Sequence, residues 1–461
     1  MVHAHDLAGP DPIWNPLKMM QVINQANEDQ IGWMTGLLDE YGDVVLLEFL
    51  GQKMVLISNP DYFQEVLVTK AKSFIKGMDY KDNRRGLARF VGNGILVSDG
   101  EFWRKQRKLV APAFHAMRIR DYAETMAQFS EDAVAQWQDK QQLDIADEMM
   151  RLTLRIVAQT LFSLDLRDDD EVATVGETME KVNESSIASS LLPAWLPTPR
   201  ELSTRRAIKD MDKMVYGIIE ERRKDLQDTG DLLSMLLLAE DDEGKRMSDK
   251  QVRDEAVTLF LAGHETTANA LNWTFWLLAQ NPEAEAKLQQ ELDTVLQGRT
   301  PTLEDLKNLP YTEMVIKESM RLMPPVSGVG RETSEDVQIG DVLIPKGTEV
   351  GLFFYQVHRD ARYWNNPETF KPERFDPEHG AEHHKYAYLP FGAGMRVCVG
   401  FSFAMMEAQL LLATLAQRFS LSLVEGHVVK PVSRITMYPE GGLPMIAHER
   451  VVEREPELAL A

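Results

Sequence analysis

One helical pattern runs unbroken from Ser248 to Asn281-Pro282, well past the roughly 8–20 residues usual for a globular helix. Ser248 and Gln251 have the spacing of a capping box, which starts it. Its second half is apolar on most sides, so it is expected to cross a core and to need other elements packed all around it. Pro282 ends it, and the next helix is expected to start at once, with Asn281 as its cap, Pro282 in the first turn and Glu283 and Glu285 at the positive helix end. The uncharged window Thr266 to Pro282 still contains Thr, Asn and Gln. No run of about 18 apolar residues appears anywhere, so no membrane span is expected.

The remainder of the 461 residues reads mostly as helix. Two regions are exceptions. VVLLEFLGQKMVLI over 44–57 has β-rich runs on both sides of Gly51, the mark of a hairpin. A second β-rich region lies near 326–353. The expected architecture is mainly α with minor β: one domain, 1–461, with a long central helix and small sheets. With 72 acidic against 50 basic residues the net charge is −22, which argues against a nucleic-acid partner. The acidic runs Glu240–Glu243 and Asp168–Glu171 read as solvated loops, since neither has a cation-loop spacing. The opening residues lack a basic region followed by an apolar core, so a cytoplasmic protein is expected.

Cys398 is the single cysteine, which excludes an intrachain disulfide and any site needing several thiolates. It lies in Phe391-Gly-Ala-Gly-Met-Arg-Val-Cys-Val-Gly400, just before the apolar helical run FAMMEAQLLLATLAQRF. The glycines allow tight turns and close approach to a flat object. Backbone N–H groups at the helix start stabilise a thiolate. A small buried hydrophobe and a ligand are both open readings of a lone cysteine. The phosphate-binding reading of a Gly-rich loop is disfavoured, because neither G-x-G-x-x-G nor a P-loop lysine is present.

The segment resembles the haem-binding signature of the cytochrome P450 family, F-x-x-G-x-R-x-C-x-G. Phe391, Gly394, Arg396, Cys398 and Gly400 occupy its fixed positions. Many relatives carry proline where this chain has Met395. The resemblance implies a cytochrome P450 fold and haem b (iron protoporphyrin IX), with Cys398 as its axial thiolate and metal ligand. Phe391, Gly392 and Gly400 would shape the cofactor site around it.

Other motifs follow the family's order. Glu318-Ser-Met-Arg321, followed by Pro324-Pro325, matches its E-x-x-R pair, and Pro372-Glu-Arg374-Phe its P-E-R-F segment. Glu318, Arg321 and Arg374 are implied to form a buried structural triad. Ala262-Gly-His-Glu265-Thr266-Thr267 breaks the apolar pattern of the long helix, and such breaks concentrate at functional sites. A threonine there can bond the carbonyl four residues back and open the helix. The stretch resembles the oxygen-activation motif, in which Thr266 would hydrogen-bond dioxygen and Glu265 would relay protons from solvent, with Ala262 beside the cofactor. His264 has no assigned role. Trp103-Arg-Lys-Gln-Arg107 resembles the W-x-x-x-R helix, and Trp103, Arg107, Arg331 and Arg396 would meet haem propionates, with His358 a weaker candidate.

The implied activity is monooxygenation: one atom of O2 enters an apolar organic substrate by C–H hydroxylation or epoxidation. Fatty acids and terpenoids both fit. The wall of the substrate pocket is expected from Phe260, Val326, Val329 and Met437, from the loop 74–96 and from residues 185–196, with Arg84, Arg85 or Arg89 available to a carboxylate. Electrons would come ultimately from NAD(P)H through a separate ferredoxin or flavodoxin with its reductase, since no reductase follows the last turn. Lys105, Lys108, Arg118 and Arg120 are the expected docking patch. The alternatives are a peroxide-driven peroxygenase, a haem-thiolate isomerase and a non-catalytic haem sensor.

Overall fold

The computed structural model describes residues 2–84, 86–164, 198–378, 380 and 383–450. The long helix spans Asp249–Gln280. Gln251 N–H donates to the Ser248 hydroxyl at 3.3 Å, and Ser248 N–H donates to the Gln251 side chain at 2.9 Å. Such a reciprocal cap contributes about 1 kcal/mol. The helix is buried along most of its length, and its threonines are satisfied locally. Thr258, Thr266, Thr267 and Thr274 each donate a hydroxyl to the carbonyl four residues back.

Around this helix pack Ile145–Phe162, Pro199–Lys224, Pro310–Leu322 and Phe401–Arg418. The helix Ala116–Val134 lies against Phe401–Arg418 on its other side. Leu271, Trp273, Leu288, Leu410 and Leu411 lie at or near zero exposure in this core. Among the described residues, no helix is long and apolar enough to cross a membrane.

The predicted hairpin is Val44–Phe49 with Gln52–Ile57, in register Val44↔Ile57 to Phe49↔Gln52. Its two-residue turn puts Leu50 at φ 49° and Gly51 at φ 82°, as a tight hairpin turn requires. Gln52–Ile57 pairs in parallel with Glu349–Phe353, which pairs antiparallel with Gly328–Thr333, and Phe74–Ile75 completes five strands. Alternate residues serve different cores: Leu56 faces the main helical core, while Val55 and Ile57 join a second cluster with Phe63, Phe354 and Trp364. Near the C-terminus, Lys430–Ser433 and Met437–Glu440 form a short hairpin, and Phe419–Leu423, Pro444–Glu449 and Gln142–Asp144 a small sheet.

Two local expectations are corrected. Asn281 does not cap the helix Pro282–Leu296 with its side chain; its Nδ2 donates backward to the Leu277 carbonyl at 2.7 Å. The amide thus satisfies an orphan acceptor of the helix it ends rather than a donor of the helix that follows. Nor is Glu240–Glu243 wholly solvated. The Asp241 side chain is 6% exposed, is paired with Lys105, and receives the N–H groups of Glu243 and Lys245. The second acidic run, Asp168–Glu171, lies outside the described residues, as do Arg85 and residues 185–196.

Candidate active site

The loop that carries Cys398 is built by its glycines. Gly392 and Gly394 have φ of 69° and 67°. A Cβ at Gly394 would stand 2.0 Å from the Leu67 carbonyl oxygen, so no other residue fits without moving backbone. Cys398 N–H donates to the Phe391 carbonyl at 3.0 Å, and Gly400 precedes the helix Phe401–Arg418. Phe391 meets Phe401 edge-on at 4.7 Å. Cys398 is an exposed residue. The protein packed around its thiol pushes it up, while the Gly400 N–H and the Arg107 charge act the other way.

Three guanidinium groups gather beside this loop. Arg396 feels the charges of Arg331 and Arg107, and burial with those neighbours draws it down to about 10 despite Asp99. It donates to the Ser98 carbonyl at 2.8 Å and to Asp99 at 2.5 Å, and stacks 4.0 Å over the Trp103 ring. Arg107 is lowered by burial and opposed by the Cys398 charge. Arg331 is 8% exposed on the strand Gly328–Thr333 and donates to the Gly330 carbonyl at 2.7 Å. Clustered cations of this kind call for an anionic partner.

The long helix opens at its midpoint. Ala262 is exposed and Leu261, Gly263 and Thr266 are partly so, between stretches that are buried. Thr266 donates to the Ala262 carbonyl at 2.7 Å. Glu265 points elsewhere. It is 9% exposed, and its carboxylate accepts the hydroxyl of Thr436. His264 is a core residue: a ring nitrogen bonds the Phe260 carbonyl at 3.0 Å, and burial pushes the ring below its ordinary value.

Glu318, Arg321 and Arg374 come together in the interior. Arg321 reaches both Glu318 oxygens at 2.7 and 2.8 Å, and Arg374 Nε donates to Glu318 Oε1 at 3.1 Å. The remaining donors are spent on backbone: Arg321 on the His358 and Pro367 carbonyls at 2.7 Å, Arg374 on Asn366 at 2.6 Å. His358 belongs to this scaffold. Its Nε2 accepts the Leu389 N–H at 3.0 Å, and burial beside Arg321 draws the ring down to about 3. It is therefore a neutral ring, 1% exposed, packed within this scaffold.

Of the expected pocket residues, Val326 and Val329 are half-buried. Phe260 and Met437 are enclosed in the core instead, at 6% and 0% exposure. Phe260 packs on Phe162 at 5.6 Å, on the helix face turned to Ile145–Phe162. Met437 is pinned by its backbone, its N–H donating to Pro325 at 2.8 Å and its carbonyl accepting Trp273 Nε1–H at 2.9 Å. The half-buried apolar side chain of that turn is Ile435, beside the half-buried Arg434. Arg89 is taken by Glu201 at 2.7 Å, both side chains 15% exposed.

The expected docking cations are paired within the chain: Lys105 with Asp241, Lys108 with Asp242, Arg118 with Asp228 and Arg120 with Glu304. Sequence reasoning also passed over Glu407, the one acid in FAMMEAQLLLATLAQRF. It is fully buried beside Thr267, whose proton goes instead to Gly263, and neither Glu407 oxygen has a hydrogen-bond partner among the described residues. Burial pushes it up to about 8. A lone carboxylate inside an apolar helix was the available signal.

The family model for cytochrome P450 matches residues 7–443 of this chain. The chain belongs to the cytochrome P450 family. It is 36% identical to cyclooctatin synthase of Streptomyces melanosporofaciens over 90% of each chain. It is 32% identical to pentalenene oxygenase of Streptomyces avermitilis, over 87% of this chain and 89% of that one. Among solved structures it resembles the retinoic acid-bound cyanobacterial CYP120A1, with TM-score 0.83 and 26% identity over 93% of this chain and 96% of the other. The cytochrome P450DA heme domain gives TM-score 0.82 and 28% identity over 97% and 99%. The cytochrome P450 fold and a haem-dependent oxidoreductase follow from this membership. The residues present fit such a cofactor. The single cysteine is exposed on a glycine-built loop, three guanidiniums gather beside it, and the core helix is open at its midpoint.

Proposed function

We propose that this cytochrome P450 is a monooxygenase of compact, neutral, terpenoid-type substrates, acting in the cytoplasm as one haem domain. Ferredoxin or flavodoxin, with its reductase and NAD(P)H, would supply the electrons. The observation that carries this is the long helix: Thr266 bonds the Ala262 carbonyl where the otherwise buried middle of the helix opens. Bound haem supplies the activation of O2. The chain's residues do the rest.

Cys398 would hold the iron as a thiolate, since a coordinating thiol is deprotonated outright even where burial raises its free pKa. Arg107, Arg331 and Arg396 would receive the propionates, with Trp103 locking the Arg396 plane. Thr266, already oriented by Ala262, presents its oxygen to the opening, and Glu265 is the adjacent acid able to hold a proton. Val326, Val329 and Ile435 offer apolar surface for substrate and exclude water. The pairing of Arg89 with Glu201 favours a neutral substrate over a fatty acid, because the carboxylate partner comes from the protein itself.

The test is a spectral screen of purified protein against cyclic terpene hydrocarbons and alcohols beside fatty acids. Terpenoids are expected to give the low-to-high-spin shift and, with a ferredoxin system, products one oxygen heavier. Shifts by fatty acids alone would overturn the substrate reading. A Cys398→Ser protein with an unchanged Soret band of its reduced carbonyl complex would overturn the haem-thiolate reading.

A further inference from the structure

The carboxylate of Glu265 ends a chain of buried polar groups that no part of the mechanism above requires. Asn272 Nδ2 donates to Asn269 Oδ1 at 3.2 Å, and Asn269 Nδ2 donates to Thr436 Oγ1 at 3.2 Å. The Thr436 hydroxyl in turn gives its only proton to Glu265 Oε1. Asn272, Asn269 and Thr436 are 0%, 1% and 3% exposed. Glu265, Asn269 and Asn272 recur at helical spacing and so share one face of the long helix. Thr436 sits on the turn between Lys430–Ser433 and Met437–Glu440.

Every hydrogen bond in this chain points toward Glu265. A hydroxyl that accepts one hydrogen bond becomes a stronger donor in the next, so Asn269 sharpens the grip of Thr436 on the carboxylate. The turn itself cannot drift. Arg434 N–H donates to the Thr436 carbonyl at 2.9 Å, and the following residue is tied to Pro325 and Trp273. Thr266 is oriented by a separate device, its bond to Ala262. Consecutive helix residues do not face one another, so Glu265 and Thr266 look in different directions. Glu265 must leave Thr436 to approach Thr266.

We propose that Thr436 is a positioning residue, with Asn269 behind it: its hydroxyl holds the Glu265 carboxylate parked on the far face of the long helix until the proton is needed. The inference rests on the reading of Glu265 as the proton-handling acid and adds the group that sets its rest position.

The test is infrared difference titration of the Glu265 carboxyl in the whole protein, the band being assigned by its loss in Glu265→Gln. Thr436→Val, which keeps the shape and removes the hydroxyl, is expected to raise the Glu265 midpoint by about one to two pH units. Thr436→Ser is expected to keep the unsubstituted midpoint. An unchanged midpoint in Thr436→Val, with only a lower Tm, would overturn the proposal and leave a hydroxyl that merely ties the turn down. Should Thr436→Val fail to fold, Asn269→Leu is expected to move the midpoint in the same direction, and no movement there overturns it equally. Loss of the thiolate Soret signature would instead indict the haem-thiolate reading and leave this midpoint measurable.

Discussion

The Arg396 guanidinium lies over the Trp103 indole with its carbon 4.0 Å from the ring centroid, while its N–H groups are held by Ser98 and Asp99. Stack and fork together fix the plane of a cation beside the cysteine loop. A lysine would keep the charge and lose both. Arg396→Lys is therefore expected to release haem to apomyoglobin roughly tenfold faster, as the loss of about 1.4 kcal/mol implies. Equal release rates would show that the plane of the cation does not matter.

Glu318 is ion-paired with two buried guanidiniums at once. Removing one member of a buried ionic group leaves uncompensated charge, at about 3–5 kcal/mol. Glu318→Ala is expected to lose that much in urea unfolding, with Arg321 and Arg374 still enclosed. A loss below about 1 kcal/mol, the scale of a surface pair, would contradict the reading of these residues as an internal scaffold.

Glu407 gives a pH dependence whose sign can be worked out. Its ordinary value is 4.5 and burial pushes it to about 8. Below the ordinary value the carboxyl is neutral whether the chain is folded or not. Between the two values the unfolded chain ionises and the folded one does not, so stability falls as pH rises. Glu407→Gln removes this. Its Tm is expected to exceed that of the unsubstituted protein near neutral pH, with the gap closing toward pH 5. Parallel Tm curves across that range would disprove it.

Three of the cations expected to dock a redox partner, Lys105, Lys108 and Arg118, line a cleft of about 680 Å³ together with Asp228, Asp241 and Asp242. With each cation paired, the field offered to an acidic partner is weak. Asp242→Asn frees Lys108, whose pair is exposed and structurally dispensable. Stopped-flow reduction by an acidic ferredoxin at low salt is expected to accelerate in this variant, with Tm unchanged. An identical rate would mean that the partner lands elsewhere.

What could be read in advance was what short stretches of chain decide by themselves. The Ser248 cap, the turns at Gly392 and Gly394 and the Glu318–Arg321 pair span a few residues each, and their residue types suffice. The misplacements share the opposite property. Which way Asn281 turns, which core receives Phe260, whether Lys105 meets a partner and which residue of the 433–437 turn is enclosed all depend on elements distant in sequence. Glu265 is an instructive case. Its place in a motif was plain from the chain, yet the hydroxyl it rests on lies at 436, and no local rule joins them.

The turn that carries Ile435 is lashed to Pro325, Trp273 and the long helix by its neighbours. An engineer can therefore alter bulk at position 435 without the main chain yielding to compensate. On the proposed reading, each exchange there would reshape the substrate pocket as a set-screw does, advancing or retreating on a fixed thread.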